Sequence, residues 1–328
     1  MQSLSWQEQL ANAIRHPDVL LEYVGLQPGS IGYSQKSLKQ FPVRVPHVFA
    51  DRIKKGDPND PLLRQVFPYL DEETIRDGFI NDPLSENDVQ PVPGLLQKYE
   101  GRVLSITTGA CAIHCRYCFR RHFPYQDASS TGKHWQKSLE YIQTDTTIKE
   151  IILSGGDPLT LSDRRLIDLC LSISKIKHVT RIRFHTRIPV VLPARLSEGL
   201  LNKLSISGKN IVFILHINHA NEIDDAVIHN IQLLHHFNIL VLNQSVLLKG
   251  VNDHTDTLIK LSERLVENQV VPYYLHMLDP VSGTTHFNVD INRAQNLLRD
   301  MHSRASGYLV PKLVREEIGS TGKTCIEY

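Results

Sequence analysis

Three cysteines lie close together in one segment of the chain and could bind a metal. Cys111, Cys115 and Cys118 have the spacing C-x3-C-x2-C, within the stretch GACAIHCRYCFRRH. Three thiolates in one loop can ligate an iron–sulfur cluster or contribute to a zinc site. A structural zinc ion usually takes four ligands, and His114 or His122 could supply the last. On a four-iron cluster, three cysteines would instead leave one iron open to a substrate.

A second reactive group lies near the end of the chain, in the stretch EIGSTGKTCIEY. Lys323 follows a glycine, as in a phosphate-binding P-loop, but Glu317 stands where that motif requires glycine. The motif also requires a helix after the lysine, and too few residues follow Lys323 to form one. The P-loop interpretation is therefore excluded, which leaves a solvated tail or a lysine with a chemical role.

From Val103 onward, short apolar runs rich in β-branched residues alternate with amphipathic stretches. After the first gap, these runs recur at about 30 residues, the size of a strand–helix–strand unit. The six predicted strands are VLSITT, EIILSGG, RIRFHT, NIVFILHI, LVLNQSVL and VVPYYLHML. Helical periodicity is found between them, for example in RRLIDLCLSISKI and HTDTLIKLSERLVENQ. The alternation predicts an α/β fold in which helices cover a parallel sheet.

Polar residues follow these strands, at the ends where a barrel-like sheet carries its chemistry. After the cysteine segment come GGDPL, FHTRIP, LHINHANE and LNQSVLLKGVND. Gly155 and Gly156 would let a ligand approach the backbone closely, although glycine is also an ordinary turn residue. Four successive polar strand ends are better explained by one shared pocket than by four solvent-exposed loops.

Composition excludes several classes of protein. The chain has 328 residues, of which 41% are hydrophobic and 22% charged, with a formal net charge of +1. These values fit a globular protein without general affinity for nucleic acid or membranes. The start of the chain lacks the apolar core of a signal peptide, and no apolar run is long enough to span a bilayer. Five cysteines are not a disulfide framework, so a cytoplasmic location is expected.

Taken in order, these segments resemble the lysine 2,3-aminomutases of the radical S-adenosylmethionine (radical SAM) superfamily. The matching motifs after the cysteines are GGDPL, TRIPVV, NHANEI, NQSVLLKGVND, PYYLHMLDPVSGTTHF and SGYLVPK. The resemblance implies a partial (β/α)6 barrel at 101–310, after an N-terminal helical extension at 1–100. It implies a C-terminal segment at 311–328 that carries a lysine for pyridoxal 5′-phosphate (PLP). The implied cofactors are a [4Fe–4S] cluster, S-adenosylmethionine (SAM) and PLP.

The resemblance also implies roles for individual residues. It places the cluster on Cys111, Cys115 and Cys118, PLP on Lys323 with Tyr99 and Arg102 nearby, SAM at Gly155, Gly156, Asp157, His216 and Gln244, and lysine at Arg120, Asp279 and Glu316. Without the family pattern, Arg120 would be interpreted as a solvated surface arginine. Asp279 would be interpreted as a turn-forming residue before proline. The acid seven residues before the PLP lysine is an aspartate in free-lysine aminomutases. Here it is Glu316, with Glu317 beside it.

The activity implied is that of an isomerase, an intramolecular aminotransferase that converts L-lysine to β-lysine with the help of an electron donor. The stretch FPVRVPHVFADRIKKGDPNDPLLRQV and the short tail after Lys323 resemble the bacterial branch dedicated to elongation factor P. In that branch the product is (R)-β-lysine, which a separate ligase attaches to the factor. The alternatives are an aminomutase that makes free β-lysine, a glutamate aminomutase, and a non-catalytic zinc-binding module.

Overall fold

One sheet of nine strands organises the molecule, and the order of its strands in space is their order along the chain. The computed structural model describes residues 4–126 and 133–328. The strands are β1 Leu95–Tyr99, β2 Arg102–Thr108, β3 Glu150–Gly155, β4 Arg181–Thr186, β5 Asn210–Leu215, β6 Leu240–Val246, β7 Val271–His276, β8 Lys312–Arg315 and β9 Thr324–Cys325.

Strands β2 to β8 are parallel, and they include all six strands that the sequence predicts. In β3 and β5 every residue except the first is buried. Such continuous burial is typical of a parallel sheet covered on both faces, and it explains why these strands lack a polar–apolar alternation. The predicted α/β fold, with parallel strands joined by helices, is confirmed.

Helices cover the sheet and precede it. The α-helices are α1 Trp6–Ala11, α2 Pro17–Tyr23, α3 Gln35–Gln40, α4 His47–Ala50, α5 Pro61–Arg64, α6 Lys133–Thr144, α7 Asp163–Ser174, α8 Ile188–Val191, α9 Glu198–Ser205, α10 Asp225–His236, α11 Thr255–Glu267 and α12 Ile291–Arg304. Short 3₁₀ helices span Leu70–Glu73, Glu86–Val89, Pro158–Thr160, Pro193–Arg195, Ala220–Glu222, Thr285–Phe287 and Gly307–Leu309. Among the described residues, no helix is long and apolar enough to cross a membrane.

The outermost strands of the sheet pair antiparallel with their neighbours. Strand β1 forms a hairpin with β2, and β9 returns alongside β8 with Val314 opposite Cys325. The two edges approach each other through side chains, since Tyr99 Oη donates a hydrogen bond to Glu316 Oε2 at 2.7 Å. Lys323 is the residue immediately before β9. The pairing of β9 with β8 therefore holds Lys323 close to the edge of the sheet.

The residues before the barrel share its hydrophobic core. Leu20, Phe49 and Phe67 belong to the same buried cluster as Ile151 and Phe213 of the sheet. Helices α1 to α5 are packed onto the barrel by this shared apolar surface. The division into 1–100, 101–310 and 311–328 remains a proposal, and the first of its boundaries falls within the β1–β2 hairpin.

Candidate active site

A cavity of about 630 Å³ opens at the carboxyl ends of the parallel strands and extends into the barrel. Every residue that the sequence predicts as a ligand of a cofactor or substrate lines it. These residues are Tyr99, Arg102, Cys111, Cys115, Cys118, Arg120, Gly155, Gly156, Asp157, His216, Gln244, Asp279, Glu316 and Lys323. The expectation that successive polar strand ends share one pocket therefore agrees with the structure.

The three cysteines follow β2 in a loop that the N-terminal extension holds in place. Arg44 Nη1 donates to the carbonyl oxygen of Cys111 at 2.9 Å, and Cys118 N donates to that of Cys115 at 3.0 Å. All three cysteines are free thiols. Within 4–126 and 133–328, no three Cys, His, Asp or Glu side chains are grouped as ligands of a single metal ion. The cysteines line one wall of the cavity together, as ligands of a multi-iron cluster must.

The two histidines considered as zinc ligands have other contacts. His114 Nδ1 lies 2.7 Å from the carbonyl oxygen of Pro42, and its ring stacks on Phe41 at 4.8 Å between ring centres. His122 Nε2 lies 3.2 Å from the carbonyl oxygen of Ser282. Neither imidazole is among the residues that line the cavity with the thiols.

Gly155 and Gly156 are required by the approach of another backbone segment. A Cβ atom on Gly155 would lie 2.4 Å from the carbonyl oxygen of Thr108, and one on Gly156 would lie 2.3 Å from that of Ala110. Gly155 also has φ of +122°, which L side chains rarely adopt. The sequence suggested that these glycines admit a ligand. In the structure they admit the segment that leads into Cys111.

Asp157 uses its carboxylate within the protein. It accepts hydrogen bonds from Thr186 Oγ1 at 2.7 Å, from Arg187 N at 2.8 Å and from the backbone of Leu159 and Ile188 at 3.1 and 3.2 Å. Burial raises the pKa of Asp157 to about 6, against the effect of these donors. A SAM contact of this segment remains a prediction, and the Asp157 carboxylate is already bonded within the protein.

Several polar atoms in the cavity are shielded from solvent and lack a hydrogen-bond partner among the described residues. Four of them are the Nε2 atoms of His185, His216, His276 and Gln244. Burial lowers the pKa of His216 to about 4, with a further contribution from Arg187, so its imidazole is neutral at neutral pH. Buried donors and acceptors without partners are costly, and a polar ligand would relieve that cost. His216 and Gln244 are thus suited to bind SAM, as the resemblance implies.

Lys323 reaches the cavity and pairs with Glu316. Its Nζ lies 2.5 Å from Glu316 Oε1, and Lys98 Nζ lies 3.9 Å from Glu316 Oε2. Burial by itself would raise the pKa of Glu316, but Lys323, Tyr99 and Lys98 lower it to about 2. Glu317 instead contacts Arg315 and Thr324, at 2.5 Å each. Of the two adjacent acids, Glu316 is the one that faces the cavity.

Asp279 is an acid whose side chain has no partner among the described residues. Its carboxylate makes no hydrogen bond or ion pair within the described part of the chain. Burial and the negative charge of Glu316 raise its pKa to about 7. A desolvated carboxyl group next to a second carboxylate is stabilised in its charged form by a cation between them. The Asp279 end of the cavity is therefore suited to a positively charged ligand group.

Arg120 is held along one edge of its guanidinium. Its Nε and Nη2 donate to the Glu86 carboxylate at 2.6 and 2.8 Å, and its Nη1 donates to Ser154 Oγ at 3.2 Å. Lys98 Nζ lies 3.4 Å from the same carboxylate. The edge formed by Nη1 and Nη2 retains N–H groups for a second acceptor, because a guanidinium has five donors. Neither Glu86 nor Lys98 is predicted from the sequence.

Tyr99 and Arg102 lie side by side on the β1–β2 hairpin. The Arg102 guanidinium lies 4.5 Å from the centre of the Tyr99 ring. Tyr274 lines the same part of the cavity, with its ring centre 5.7 Å from Lys323 Nζ. Aromatic faces and a fixed cation near a lysine fit an aromatic cofactor with a phosphate group, as PLP is.

Comparison with known proteins identifies the family. Residues 105–261 match the sequence model of the Radical SAM superfamily. The L-lysine 2,3-aminomutase of Escherichia coli (strain K12) is 44% identical over 323 residues, which cover 98% of this chain and 94% of that protein. The L-lysine 2,3-aminomutase of Haemophilus influenzae is 44% identical over 320 residues, 98% of this chain and 95% of that protein. The enzyme of the same name from Clostridium subterminale is 33% identical over 320 residues, 97% of this chain and 77% of that protein. The chain belongs to the L-lysine 2,3-aminomutase family.

Proposed function

We propose that this protein converts L-lysine to β-lysine by moving the amino group from carbon 2 to carbon 3. Membership of the aminomutase family supports the reaction class. The observation that supports L-lysine as the substrate is the Asp279 carboxylate, which has no partner among the described residues and lies in a cavity that Lys323 and Arg120 also line. L-lysine has an anionic group at one end and a cationic group at the other, which matches Arg120 and Asp279.

Family membership implies a [4Fe–4S] cluster, SAM and PLP as cofactors, and the cavity contains suitable groups for each. Cys111, Cys115 and Cys118 would hold the cluster, and Lys323 would hold PLP through Nζ. When bound, the cluster and SAM supply the radical that removes a hydrogen atom, and PLP carries the migrating nitrogen. Bound in this cavity, the three cofactors would have polar atoms within the same space as its unpartnered His and Gln nitrogens.

Arg120 is proposed to bind the substrate carboxylate. Glu86 occupies the Nε–Nη2 edge of its guanidinium and fixes the orientation of the plane. The Nη1–Nη2 edge then faces a carboxylate with two parallel donors, an arrangement that is stronger and more specific than a single contact. The Glu86 carboxylate also balances the positive charge of Arg120, which would otherwise be a buried, unpaired charge.

Asp279 and Glu316 are proposed to bind the distal ammonium. Glu316 pairs with the Lys323 ammonium, so this part of the cavity already holds one cation. A substrate ammonium between the two carboxylates would add the cation that Asp279 lacks among the described residues. The same pair of acids disfavours glutamate as substrate, because it would repel the glutamate side chain.

The proposal extends to the use of the product. The stretch from Phe41 to Val66 resembles the branch that supplies (R)-β-lysine for elongation factor P, to which a separate ligase transfers it. An electron donor that reduces the cluster and a cytoplasmic location are part of the same proposal. Release of free β-lysine for metabolism is the alternative, and product stereochemistry distinguishes the two.

The test is an anaerobic assay of the reconstituted protein with SAM, PLP, a reductant and L-lysine, followed by chiral chromatography. Mass alone is not sufficient, because product and substrate are isomers. Formation of (R)-β-lysine supports the elongation factor P assignment, and (S)-β-lysine moves the protein to the metabolic branch. A protein loaded with iron and PLP that makes no β-lysine would refute lysine as the substrate. L-glutamate serves as the matched control substrate.

A further inference from the structure

A buried charge network adjoins one of the cluster cysteines. Arg187 follows β4 and points its guanidinium at the cysteine loop, where Nη1 donates to Cys115 Sγ at 2.7 Å. Its Nη2 donates to Glu222 Oε2 at 2.8 Å and to Gln65 Oε1 at 2.6 Å. Arg187 is 6% exposed, and Glu222 and Gln65 are 0% exposed. The network therefore acts on the thiol through protein rather than through water.

The position of Arg187 is fixed at both ends of the residue. Its backbone N–H donates to the buried Asp157 carboxylate, which also binds Thr186. Its guanidinium is held by the two acceptors from Glu222 and Gln65. A side chain restrained in this way keeps its charge beside Cys115 at little entropic cost.

Glu222 is also fixed in position by several hydrogen bonds. Its Oε1 accepts hydrogen bonds from the backbone of Asn218 at 2.9 Å and of His219 at 3.1 Å, and from Gln65 Nε2 at 3.2 Å. Glu222 touches Arg187 on the nitrogen that does not contact the sulfur. The positive charge is thus in direct contact with the thiol, and the negative charge lies behind it.

We propose that Arg187 and Glu222 set the reduction potential of the cluster held by Cys115, with opposite signs. Reduction adds an electron, and a cation hydrogen-bonded to a ligating sulfur stabilises the added charge. A carboxylate behind that cation opposes it. The two are positioning and tuning residues for the cluster, and Gln65 extends the network to the N-terminal extension.

The test is an anaerobic redox titration of the reconstituted cluster, followed by electron paramagnetic resonance without SAM or substrate. Arg187→Gln removes the cation and is expected to shift the midpoint potential to more negative values. Glu222→Gln removes the carboxylate at nearly constant shape and is expected to shift it to more positive values. The double variant is expected to lie between the two. Opposite shifts are not expected if the residues only hold the loop in place.

Two controls separate the electrostatic effect from a structural one. Arg187→Lys keeps the charge and is expected to stay closer to the wild-type potential than Arg187→Gln. Arg195→Gln removes an equally buried arginine, 2% exposed, that is outside the cavity lining, and should leave the potential unchanged. If Arg187→Gln fails to retain iron, the midpoint potential of Glu222→Gln tests the proposal by itself. Shifts of the same sign in the Arg187 and Glu222 variants, or no shift in Glu222→Gln at full iron content, would overturn the proposal.

Discussion

The cysteine side and the lysine side of the cavity are built in different ways. On the cysteine side, Asp157 and Glu222 are buried and bonded on several sides, and the backbone packs tightly at Gly156. On the lysine side, a Cβ added to Gly319 or Gly322 would meet no described heavy atom within 4 Å. Lys323 and Glu316 pair there beside the edges of the sheet.

The difference suits two kinds of site: the cysteine side is held rigid in advance, whereas the charged groups of the lysine side have room to rearrange. A cluster must be held by thiols at fixed positions, and a rigid wall provides them. A lysine that gives up one partner and takes another needs room to move and an acid that accepts either cation. Changes on the cysteine side should therefore affect retention of the cluster and stability, whereas changes on the lysine side should affect attachment of PLP, substrate turnover and affinity.

The largest expected effect comes from Lys323→Ala, which removes the attachment point for PLP. Turnover of L-lysine should fall to the assay background, and PLP should be lost on desalting, because the covalent link to the cofactor is gone. Iron content should not change, since the cysteine wall is untouched. Lys312→Ala, at an exposed lysine of β8, is the matched control. Wild-type turnover by Lys323→Ala would remove this residue from the proposed chemistry.

Asp279→Asn should weaken recognition of the distal ammonium without affecting the cluster. A hydrogen bond to a charged group contributes about 1.5–3 kcal/mol, so kcat/KM for L-lysine should fall by roughly 10- to 150-fold. Steady-state kinetics with reconstituted protein measures this loss. Asp300→Asn changes an exposed aspartate of α12 and should have no effect. Equal kcat/KM values for Asp279→Asn and wild type would move the ammonium site elsewhere.

Gly156→Ala tests the tightness of the cysteine wall. The added Cβ would lie 2.3 Å from the carbonyl oxygen of Ala110, so the segment that leads to Cys111 must shift. Overpacking of this kind costs about 1–3 kcal/mol of unfolding free energy, and iron retention should fall with it. Thermal melts and iron analysis measure both quantities. Gly322→Ala, which meets no described atom within 4 Å, should leave both unchanged, and equal losses in the two variants would disprove the contrast.

The pH dependence should show the titration of Asp279. Its pKa is about 7, raised by burial and by Glu316. Above that pH the carboxylate is charged and binds a cation tightly, and below that pH it is protonated and binds a cation weakly. kcat/KM for L-lysine reports ionisation in the free enzyme and should fall about tenfold per pH unit below pH 7. The fall should level off near the value for Asp279→Asn, because that variant lacks the Asp279 carboxylate at every pH. A profile of Asp279→Asn that keeps the same limb would assign it to another group.

Much of the fold and the chemistry could be predicted from the sequence, because the signals are local. Most of the predicted strands are apolar runs, and the cysteine spacing and the order of the motifs indicated both the cluster and the family. Arg187 and Glu222 lie in the quoted motifs TRIPVV and NHANEI, yet no pattern pairs them. Their contact joins residues 35 positions apart and depends on how two strand ends meet.

Other residues were outside the reach of sequence patterns for similar reasons. Glu86 pairs with Arg120 across 34 residues, and Gln65 reaches Arg187 across 122. The sequence also could not show why position 156 is a glycine. A close approach by the segment after β2 and a close approach by a ligand both require glycine there. A charged residue directly after the end of a predicted strand was the signal that could have indicated Arg187.

The central claim is that the amino group of L-lysine moves between adjacent carbons within this cavity. The most direct measurement uses L-lysine labelled with ¹⁵N at carbon 2, incubated anaerobically with the reconstituted protein, and locates the label by nuclear magnetic resonance. We expect ¹⁵N on carbon 3 of β-lysine with wild type, and none with Lys323→Ala. Label that stays on carbon 2, or that is released as ammonia by a protein loaded with iron and PLP, would contradict it.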